Sequence, residues 1–303
     1  MRATSDARHV VLICPTGWDA AQLPRLRDYP GCLVAAFIAA ELGLPGPDPG
    51  SVLRCSHKYY ARMAQRVAVP EATPRFALID PDTVDEASLE LAFPLFVKPV
   101  KSWFTQYARR IETFAELLAF VRSPGVRGHL THFVRPFNQL LARHGGFSVT
   151  ASHMIAEELL TGHQVTLEGF VDAGRITVVG ILDCIMYENT ISFDRFECPS
   201  LVSDSVARRM TAIAERILRH VGFTGALFSI ELVYDERSDA VRIVEINPRM
   251  CGQFADMMHA VNGTNTYEIL SPWRAASGRR RFRPAERSRS LRVSSCGTSA
   301  TER

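Results

Sequence analysis

The chain has 303 residues, of which 47% are hydrophobic and 22% are charged, and its formal net charge is +3 at pH 7. A chain of this size and apolar content can bury a substantial core, and we expect more than one domain. The small positive excess does not favour a nucleic-acid-binding protein, and the longest apolar run, CLVAAFIAA, is too short to span a bilayer. The 7 cysteines are scattered without a C-x-x-C pair, which excludes an obvious disulfide framework or zinc site and favours the reducing cytoplasm.

The N-terminal part of the chain predicts one strand and two helices. Residues 9–14, HVVLIC, have the pattern of a buried strand, and Cys32–Leu42 that of an apolar helix. The LPGPDPG segment that follows is rich in glycine and proline. It has neither the G-x-G-x-x-G nor the G-x-x-x-x-G-K-[ST] spacing of phosphate-binding loops, so it is interpreted as a plain loop. A basic helix is predicted from Arg54 with Ser56 as its N-cap, ending near the VPEATP segment.

Two lysines are candidates for binding an anion. Lys58 lies in the first turn of the basic helix, and Lys98 ends the apolar run FPLFV. A lysine at the end of a buried strand either extends its ammonium group to solvent or binds an anion, and nucleotide phosphates suit a point charge. For Lys58, a solvated charge on a helix surface explains the sequence equally well.

The middle of the chain alternates between helical and extended patterns. Helices are predicted over Glu112–Val121 and Leu130–Arg143. Met154–Leu160 is an extended apolar segment interrupted by two carboxylates, and strands around an Asp-Ala-Gly-Arg turn follow it. Residues 192–201 are predicted to form a loop, and Ser203–Val221 a long amphipathic helix.

A β-hairpin is predicted from two apolar runs, ALFSIELVY and AVRIVEI, that flank the polar segment DERSD. Glu245 and Asn247 project from one face of the second strand because strand side chains alternate. If the hairpin closes symmetrically about Ser238, Glu231 lies opposite Glu245 with Cβ atoms about 5 Å apart. Two such carboxylates repel unless a cation lies between them, and Mg²⁺ carrying phosphate suits these ligands. Solvated surface glutamates are the alternative, although the apolar neighbours of Glu245 favour a metal site.

The strands FSIELVYD and VRIVEINPR resemble the metal-binding strands of the ATP-grasp superfamily, where Glu on one strand is followed by Glu-x-Asn-Pro-Arg on the next. The resemblance covers about residues 54–270. It implies an α+β fold in which two subdomains enclose ATP: a small subdomain with connecting helices over 54–153, and a large one with the metal site over 154–275. A shortened Rossmann-like region is implied for 1–53, and the Arg- and Ser-rich residues 276–303 are predicted to be disordered.

The resemblance also implies roles for individual residues. The implied ligands are Lys58 and Lys98 for the phosphates, Glu157 and the backbone of Leu160 for adenine, Gln164 and Glu168 for the ribose, and Glu231, Glu245 and Asn247 for the metal. The implied catalytic residues are Lys98 and Arg249, whose guanidinium is placed to meet an acyl phosphate or a substrate carboxylate. The family's glycine-rich loop over the triphosphate is replaced by VKSWFTQYARRI, interpreted as a lid held by side chains. For Glu157, a solvated strand end is the alternative.

The implied reaction uses ATP and Mg²⁺ or Mn²⁺ to convert a carboxylate into an acyl phosphate, which an amine or another nucleophile then attacks. The expected partners are a small-molecule carboxylate and an amine, and a homodimer is a possible assembly. The sequence contains no Ser/His/Asp or reactive-Cys constellation, which agrees with a mechanism that needs no side-chain nucleophile. Two alternatives stay open: an ATP-binding module without turnover, and nucleic-acid binding through the arginine-rich tail.

Overall fold

A computed structural model describes residues 30–103, 105–188, 190–269 and 291–294, the last of these by backbone alone. The predicted strand over 9–14 and most of the arginine-rich tail therefore lie outside the described residues. Within the described ranges, no helix is long and apolar enough to cross a membrane. Two antiparallel sheets, one of four strands and one of six, organise the molecule.

Three helices precede the first sheet: α1 (Gly31–Glu41), α2 (Pro49–Ser56) and α3 (Lys58–Ala68). Helix α1 confirms the predicted apolar helix to within one residue at each end. The segment interpreted as a plain loop instead ends in the start of α2. Asp48 caps this helix by accepting a hydrogen bond from the Ser51 amide (2.7 Å), and Pro49 occupies the first turn, where its missing N–H costs nothing.

The predicted N-cap of the basic helix is wrong. Ser56 is the last residue of α2, and the chain then passes through the extended residue His57 (φ −100°, ψ 104°) before α3 begins at Lys58. The amide of Lys58 donates to the carbonyl of Val100 at 2.9 Å, directly after strand β2. This backbone bond places the start of α3 beside the end of the strand that carries the second candidate lysine.

The small sheet has the order β1-β4-β2-β3. Its strands are β1 (Phe76–Ile79), β2 (Leu95–Pro99), β3 (Arg109–Ile111) and β4 (Met154–Glu158), and its connecting helices are α4 (Phe114–Val121), α5 (Pro124–Gly128) and α6 (Arg135–His144). The helix predicted over Leu130–Arg143 is split, because a π-helical turn over His129–Phe133 precedes α6 and Pro136 restarts the helix. Strand β4 pairs with β1 and β2, so the small sheet extends through Glu158 and does not end at residue 153.

The large sheet has the order β10-β7-β6-β5-β8-β9. Its elements are β5 (His163–Asp172), β6 (Arg175–Met186), β7 (Phe193–Cys198), β8 (Ala226–Asp235), β9 (Ala240–Asn247) and β10 (Leu291–Ser294), with α7 (Asp204–His220) and α8 (Ala255–Asn262). Two predictions are corrected here. The loop expected over 192–201 contains β7, which pairs with β6. Residues 291–294 of the tail predicted to be disordered form β10 at the edge of the sheet.

The two faces of the large sheet bury different apolar clusters. Ile213 and Ile217 of α7 share one cluster with Leu167 and Ile230 of the sheet. Met258 of α8 belongs to a second cluster on the opposite face. Because side chains alternate along a strand, the charged residues between those of the first cluster project away from α7. The candidate metal ligands therefore share a face with α8.

Candidate active site between the two sheets

The candidate metal ligands meet across the β8–β9 hairpin. Glu231 pairs directly with Glu245, as the sequence predicts. Nearer the tip the register differs, since Leu232 lies opposite Ile243 and leaves Val244 as an extra residue in β9. The assumption of symmetric closure is thus wrong near the tip, and the β-bulge at Val244 restores the pairing of the two glutamates.

Amide side chains surround the carboxylate of Glu231. The Nδ2 atom of Asn247 donates to Oε1 at 3.3 Å, and the Nε2 atom of Gln164 donates to Oε2 at 3.1 Å. The structure thus brings both Asn247 and Gln164 to the pair of glutamates. The implied contact of Gln164 with the ribose stays a prediction.

Positive charge balances the second carboxylate of the pair. Lys58 Nζ lies 2.9 Å from Glu245 Oε1, across the interface between α3 and β9. Loss of water contact and the neighbouring Glu245 carboxylate raise the pKa of Glu231. Loss of water contact would also raise the pKa of Glu245, but Lys58 and Lys98 outweigh it and hold that pKa below its usual range. One carboxylate of the pair is therefore held ionised while its neighbour is pushed towards the protonated form.

Lys98 and Glu157 form a buried ion pair inside the small sheet. Lys98 Nζ lies 2.8 Å from Glu157 Oε2, and both side chains are less than a tenth exposed. Burial lowers the pKa of Lys98. Burial acts against ionisation of Glu157 as well, yet Arg62 and Lys98 lower the pKa of this carboxyl to about 2. Both oxygens of Glu157 are thus bound by protein cations, and its implied contact with adenine stays a prediction.

Arg62 joins the small sheet to β9, the strand that carries Glu245 and Asn247. Its guanidinium donates from Nε to Glu157 (2.8 Å), from Nη1 to Gln65 (2.5 Å) and from Nη2 to the carbonyl of Val244 (2.8 Å). Its side chain is only 2% exposed. Sequence reasoning missed this residue. The available signal was its position one helical turn after Lys58, which puts both cations on the same face of α3.

The connection between the two sheets carries the residues expected to face adenine. Leu160 lies between β4 and β5 and is half-buried. Gly162, with φ +128°, passes so close to β8 that a Cβ atom there would lie 2.3 Å from the Tyr234 carbonyl oxygen. Only glycine fits this position without a backbone shift. The contact of Leu160 with adenine stays a prediction.

Glu168 and Arg249 extend the charged face beyond Asn247. Glu168 is 2% exposed, and burial raises its pKa to about 7, while the Cys251 amide donates to its Oε2 atom at 3.3 Å. Arg249 donates to the Asn247 side-chain oxygen at 3.4 Å. The structure thus brings Arg249 to Asn247, one of the candidate metal ligands. Glu168 lies on the same sheet face, and its contact with the ribose stays a prediction.

A family model for the ATP-grasp domain matches residues 91–257, which is more than half of the chain. The chain belongs to the ATP-grasp domain family. A search of curated proteins found no match. The fold and the family agree with the α+β architecture expected from the hairpin motif.

Solved structures share the fold of this ATP-grasp protein at low sequence identity. An L-amino acid ligase from Bacillus licheniformis has a TM-score of 0.65 at 20% identity, covering 83% of this chain and 58% of that one. A phosphoribosylglycinamide synthetase from Anaerococcus prevotii has a TM-score of 0.60 at 15% identity, covering 86% and 60%. The biotin carboxylase domain dimer of a 2-oxoglutarate carboxylase from Hydrogenobacter thermophilus, in complex with MgADP and bicarbonate, has a TM-score of 0.58 at 16% identity, covering 82% and 52%. The chain thus spans about 52–60% of the length of these proteins.

The donor set of the ATP-grasp protein fits a hard divalent cation. Among the described residues, no group of three or more His, Cys, Asp and Glu side chains is arranged to hold a metal. The candidate set instead combines two facing carboxylates, Glu231 and Glu245, with the amide oxygen of Asn247. Mg²⁺ is commonly held by one or two carboxylates, with phosphate oxygens and water completing its shell.

The segment after β2 forms a turn held by side chains. Trp103 Nε1 donates to Gln106 Oε1 at 3.0 Å, and Ser102 Oγ donates to the Gln106 carbonyl at 3.0 Å. Thr105 and Tyr107 take positive φ angles of 56° and 55°, values that glycine adopts without strain. The interpretation of this segment as a lid held by side chains over ATP stays a prediction.

Proposed function

We propose that this ATP-grasp protein is an ATP- and Mg²⁺-dependent ligase that activates a carboxylate as an acyl phosphate and joins it to an amine, releasing ADP and phosphate. One observation carries the proposal: the facing pair Glu231 and Glu245 lies against the lysine of α3, with a second buried lysine nearby. Carboxylates that can hold a metal ion, placed opposite lysines that can bind phosphate oxygens, are suited to a metal-bound polyphosphate.

The metal-binding side of the reaction rests on the hairpin. Glu231, Glu245 and Asn247 would hold Mg²⁺, which when bound neutralises charge on the transferring phosphate. Lys58 now contacts Glu245 at 2.9 Å and would exchange this partner for a phosphate oxygen. Glu157 keeps Lys98 in place, so this ammonium needs no reorganisation as charge develops.

The acid-binding side rests on Arg249. Its guanidinium lies beside Asn247, which would put it next to the metal. A guanidinium can hold two oxygens of a carboxylate or an acyl phosphate at once. Arg249 would therefore orient the acid for attack on the γ-phosphate and stabilise the product of that step. The amine then attacks the acyl carbon directly, so no protein nucleophile is required.

The relatives support the substrate class. The proteins of similar fold include an L-amino acid ligase and a phosphoribosylglycinamide synthetase, and one structure contains MgADP. We infer a small-molecule acid and an amine as substrates and a magnesium nucleotide as the energy source. The biotin carboxylase domain is a dimer. A homodimer of the present chain is proposed on that likeness alone.

A second candidate function is ATP binding without turnover. It is favoured by the sequence of the turn after β2, because residues 101–107 contain no glycine. Such a turn offers fewer accessible backbone amides to a triphosphate. Both functions predict binding of ATP, and only the ligase predicts product.

Trapping with hydroxylamine distinguishes the two functions. Purified protein, Mg-ATP, hydroxylamine and a pool of amino and other carboxylic acids should yield hydroxamate and ADP. Glu245→Ala should abolish both, while Glu236→Ala, which removes an exposed carboxylate from the same hairpin, should leave them unchanged. Stabilisation of the protein by ATP without hydroxamate or ADP across the pool would favour the binding module. No response to ATP would contradict both functions.

A further inference from the structure

Glu168 is a buried carboxylate with one oxygen left unused in the described part of the chain. Only 2% of the residue is exposed, and its Oε1 atom accepts no hydrogen bond, while its Oε2 atom accepts the Cys251 amide at 3.3 Å. Glu157 and Glu245 each pair with a lysine, whereas no ion pair among the described residues involves Glu168. Burial raises the pKa of Glu168 to about 7, and the Cys251 amide and Arg249 offset this only in part. A ligand that brings a cation to this carboxylate would stabilise it.

The pairing of the strands places Glu168 relative to the candidate metal ligands. Along β5, Thr166 lies in line with the facing pair Glu231 and Glu245. Glu168 comes two residues later on the same face, about 7 Å along the strand, and lies in line with Asn247. The connection from the small sheet enters β5 at the other end of the strand. Glu168 therefore lies beyond the pair of glutamates, as seen from that connection.

This position favours the carboxylate substrate over the ribose as the ligand of Glu168. Gln164 donates to Glu231 and precedes Glu168 by four residues, about 13 Å along β5, with the pair of glutamates level between them. A ribose held by Gln164 would lie on the opposite side of that pair from Glu168. Arg249, which would orient the acid, donates to Asn247 at 3.4 Å, in the row of Glu168. Glu168 is thus placed with the residue proposed for the acid.

The neighbours of Glu168 in the sheet are small. It lies opposite Gly180 on β6 and opposite Ser229 on β8. Met258 of α8 packs over Gly180, where an added Cβ atom would lie 2.8 Å from the Met258 side chain, so an apolar group closes that side. On the other side, only Ser229 lies between Glu168 and Asn247 in this row. Two strand spacings, about 10 Å between Cα atoms, separate Glu168 from Asn247, a distance that their side chains and one small molecule can span.

We propose that Glu168 binds the ammonium group of an amino acid whose carboxylate this protein activates. The inference rests on the proposed function in taking the carboxylate substrate of the ligase as the ligand, and it names the class of that substrate. Arg249 would hold the carboxylate end and the free Oε1 atom of Glu168 the ammonium end. The opposite charges of a zwitterion would then meet opposite charges of the protein. An acid without an ammonium group would leave Glu168 buried without a cation and would bind more weakly.

Trapping with hydroxylamine tests this assignment without knowledge of the amine, because hydroxylamine takes the place of the amine. Each common L-amino acid is supplied with Mg-ATP, beside an analogue that lacks only the α-amino group, such as propionate beside alanine. For wild type, kcat/KM for hydroxamate formation should be at least about 10-fold higher with the best amino acid than with its analogue, equivalent to about 1.4 kcal/mol. Glu168→Gln should remove most of this preference, mainly through a higher KM for the amino acid.

Asp172→Asn is the matched control, because it removes a carboxylate from an exposed position on the same strand. It should leave the preference for the amino acid unchanged. Glu168→Gln should keep the affinity of wild type for Mg-ATP in isothermal titration, and its urea midpoint should be no lower, since the carboxylate has no ion pair to lose. If Glu168→Gln does not fold, Glu168→Met replaces it. A loss of ATP affinity would assign Glu168 to the ribose and overturn the proposal, as would equal losses for amino acid and analogue.

Binding without turnover separates this inference from the ligase function. Thermal denaturation with a non-hydrolysable ATP analogue and Mg²⁺ should show that amino acids stabilise wild type more than Glu168→Gln. That result without hydroxamate formation by wild type supports the role of Glu168 and contradicts the ligase. Hydroxamate formed equally well from amino acids and their analogues supports the ligase and contradicts the role of Glu168. If wild type neither forms hydroxamate nor is stabilised by any amino acid, both are overturned.

Discussion

Replacing Arg62 by methionine tests whether this buried guanidinium holds the two sheets together. The substitution removes the bonds to Glu157, Gln65 and Val244, and it leaves Lys98 as the one remaining cation on Glu157. Breaking a buried ion pair by deleting one partner costs about 3–5 kcal/mol. Because Lys98 still compensates part of the Glu157 charge, we expect a loss near the lower end, about 3 kcal/mol. That is a large part of the ~5–15 kcal/mol that stabilises a typical domain.

Urea denaturation followed by fluorescence and circular dichroism measures this loss as a lower midpoint at unchanged slope. Arg209→Met is the control, because Arg209 pairs with Asp239 at 2.6 Å with both side chains substantially exposed. Exposed pairs contribute about 1 kcal/mol or less. Arg62→Lys should fall between the two, since an ammonium cannot reach all three acceptors in the fixed geometry of the guanidinium. A loss for Arg62→Met no greater than that of the control would refute the reasoning.

Three further predictions concern stability. Glu157→Gln should lower the free energy of unfolding most at neutral pH, and this loss should shrink as pH falls from about 4.5 towards 2. The reason is that the lowered pKa of Glu157 stabilises the fold only while the carboxyl is ionised. A loss independent of pH in urea denaturation would contradict this. The hydrogen bond to Asp183 raises the pKa of His163. His163→Gln should therefore lower the free energy of unfolding by about 1 kcal/mol or less at pH 6, and this loss should vanish as pH rises through the raised pKa. An equal loss of unfolding free energy at pH 9 would argue against this reasoning. Gly162→Ala should lower the stability of the fold several times more than Gly174→Ala. At Gly174 the φ of +77° is strained for alanine by about 1–2 kcal/mol, but a Cβ atom there would meet no other atom within 4 Å. Similar losses of thermal stability in the two variants would be inconsistent with a clash against β8.

Local patterns were sufficient to predict the hairpin and the set of residues that meets on it. Strand alternation puts Glu245 and Asn247 on one face, and this relation follows from strand geometry because the residues are close in sequence. The pairing of Glu231 with Glu245 also depends on the bulge at Val244, which the sequence analysis did not predict. The amphipathic pattern of the long helix likewise predicted α7, which begins after the N-cap Ser203. The helix boundaries near residue 56 were predicted less well, because Asp48 and Pro49 form a stronger start signal than the serine.

The sequence by itself thus determined the hairpin that carries the candidate metal ligands, the long helix and the positions of Lys58 and Lys98 at the start of a helix and the end of a strand. The tertiary structure alone decided what these charges touch. Arg62 lies 95 residues from Glu157 and 182 from Val244, and no periodic pattern links such positions. Those contacts exist because the edge carbonyl of a bulged strand and a buried carboxylate both require a donor, and one guanidinium reaches them together.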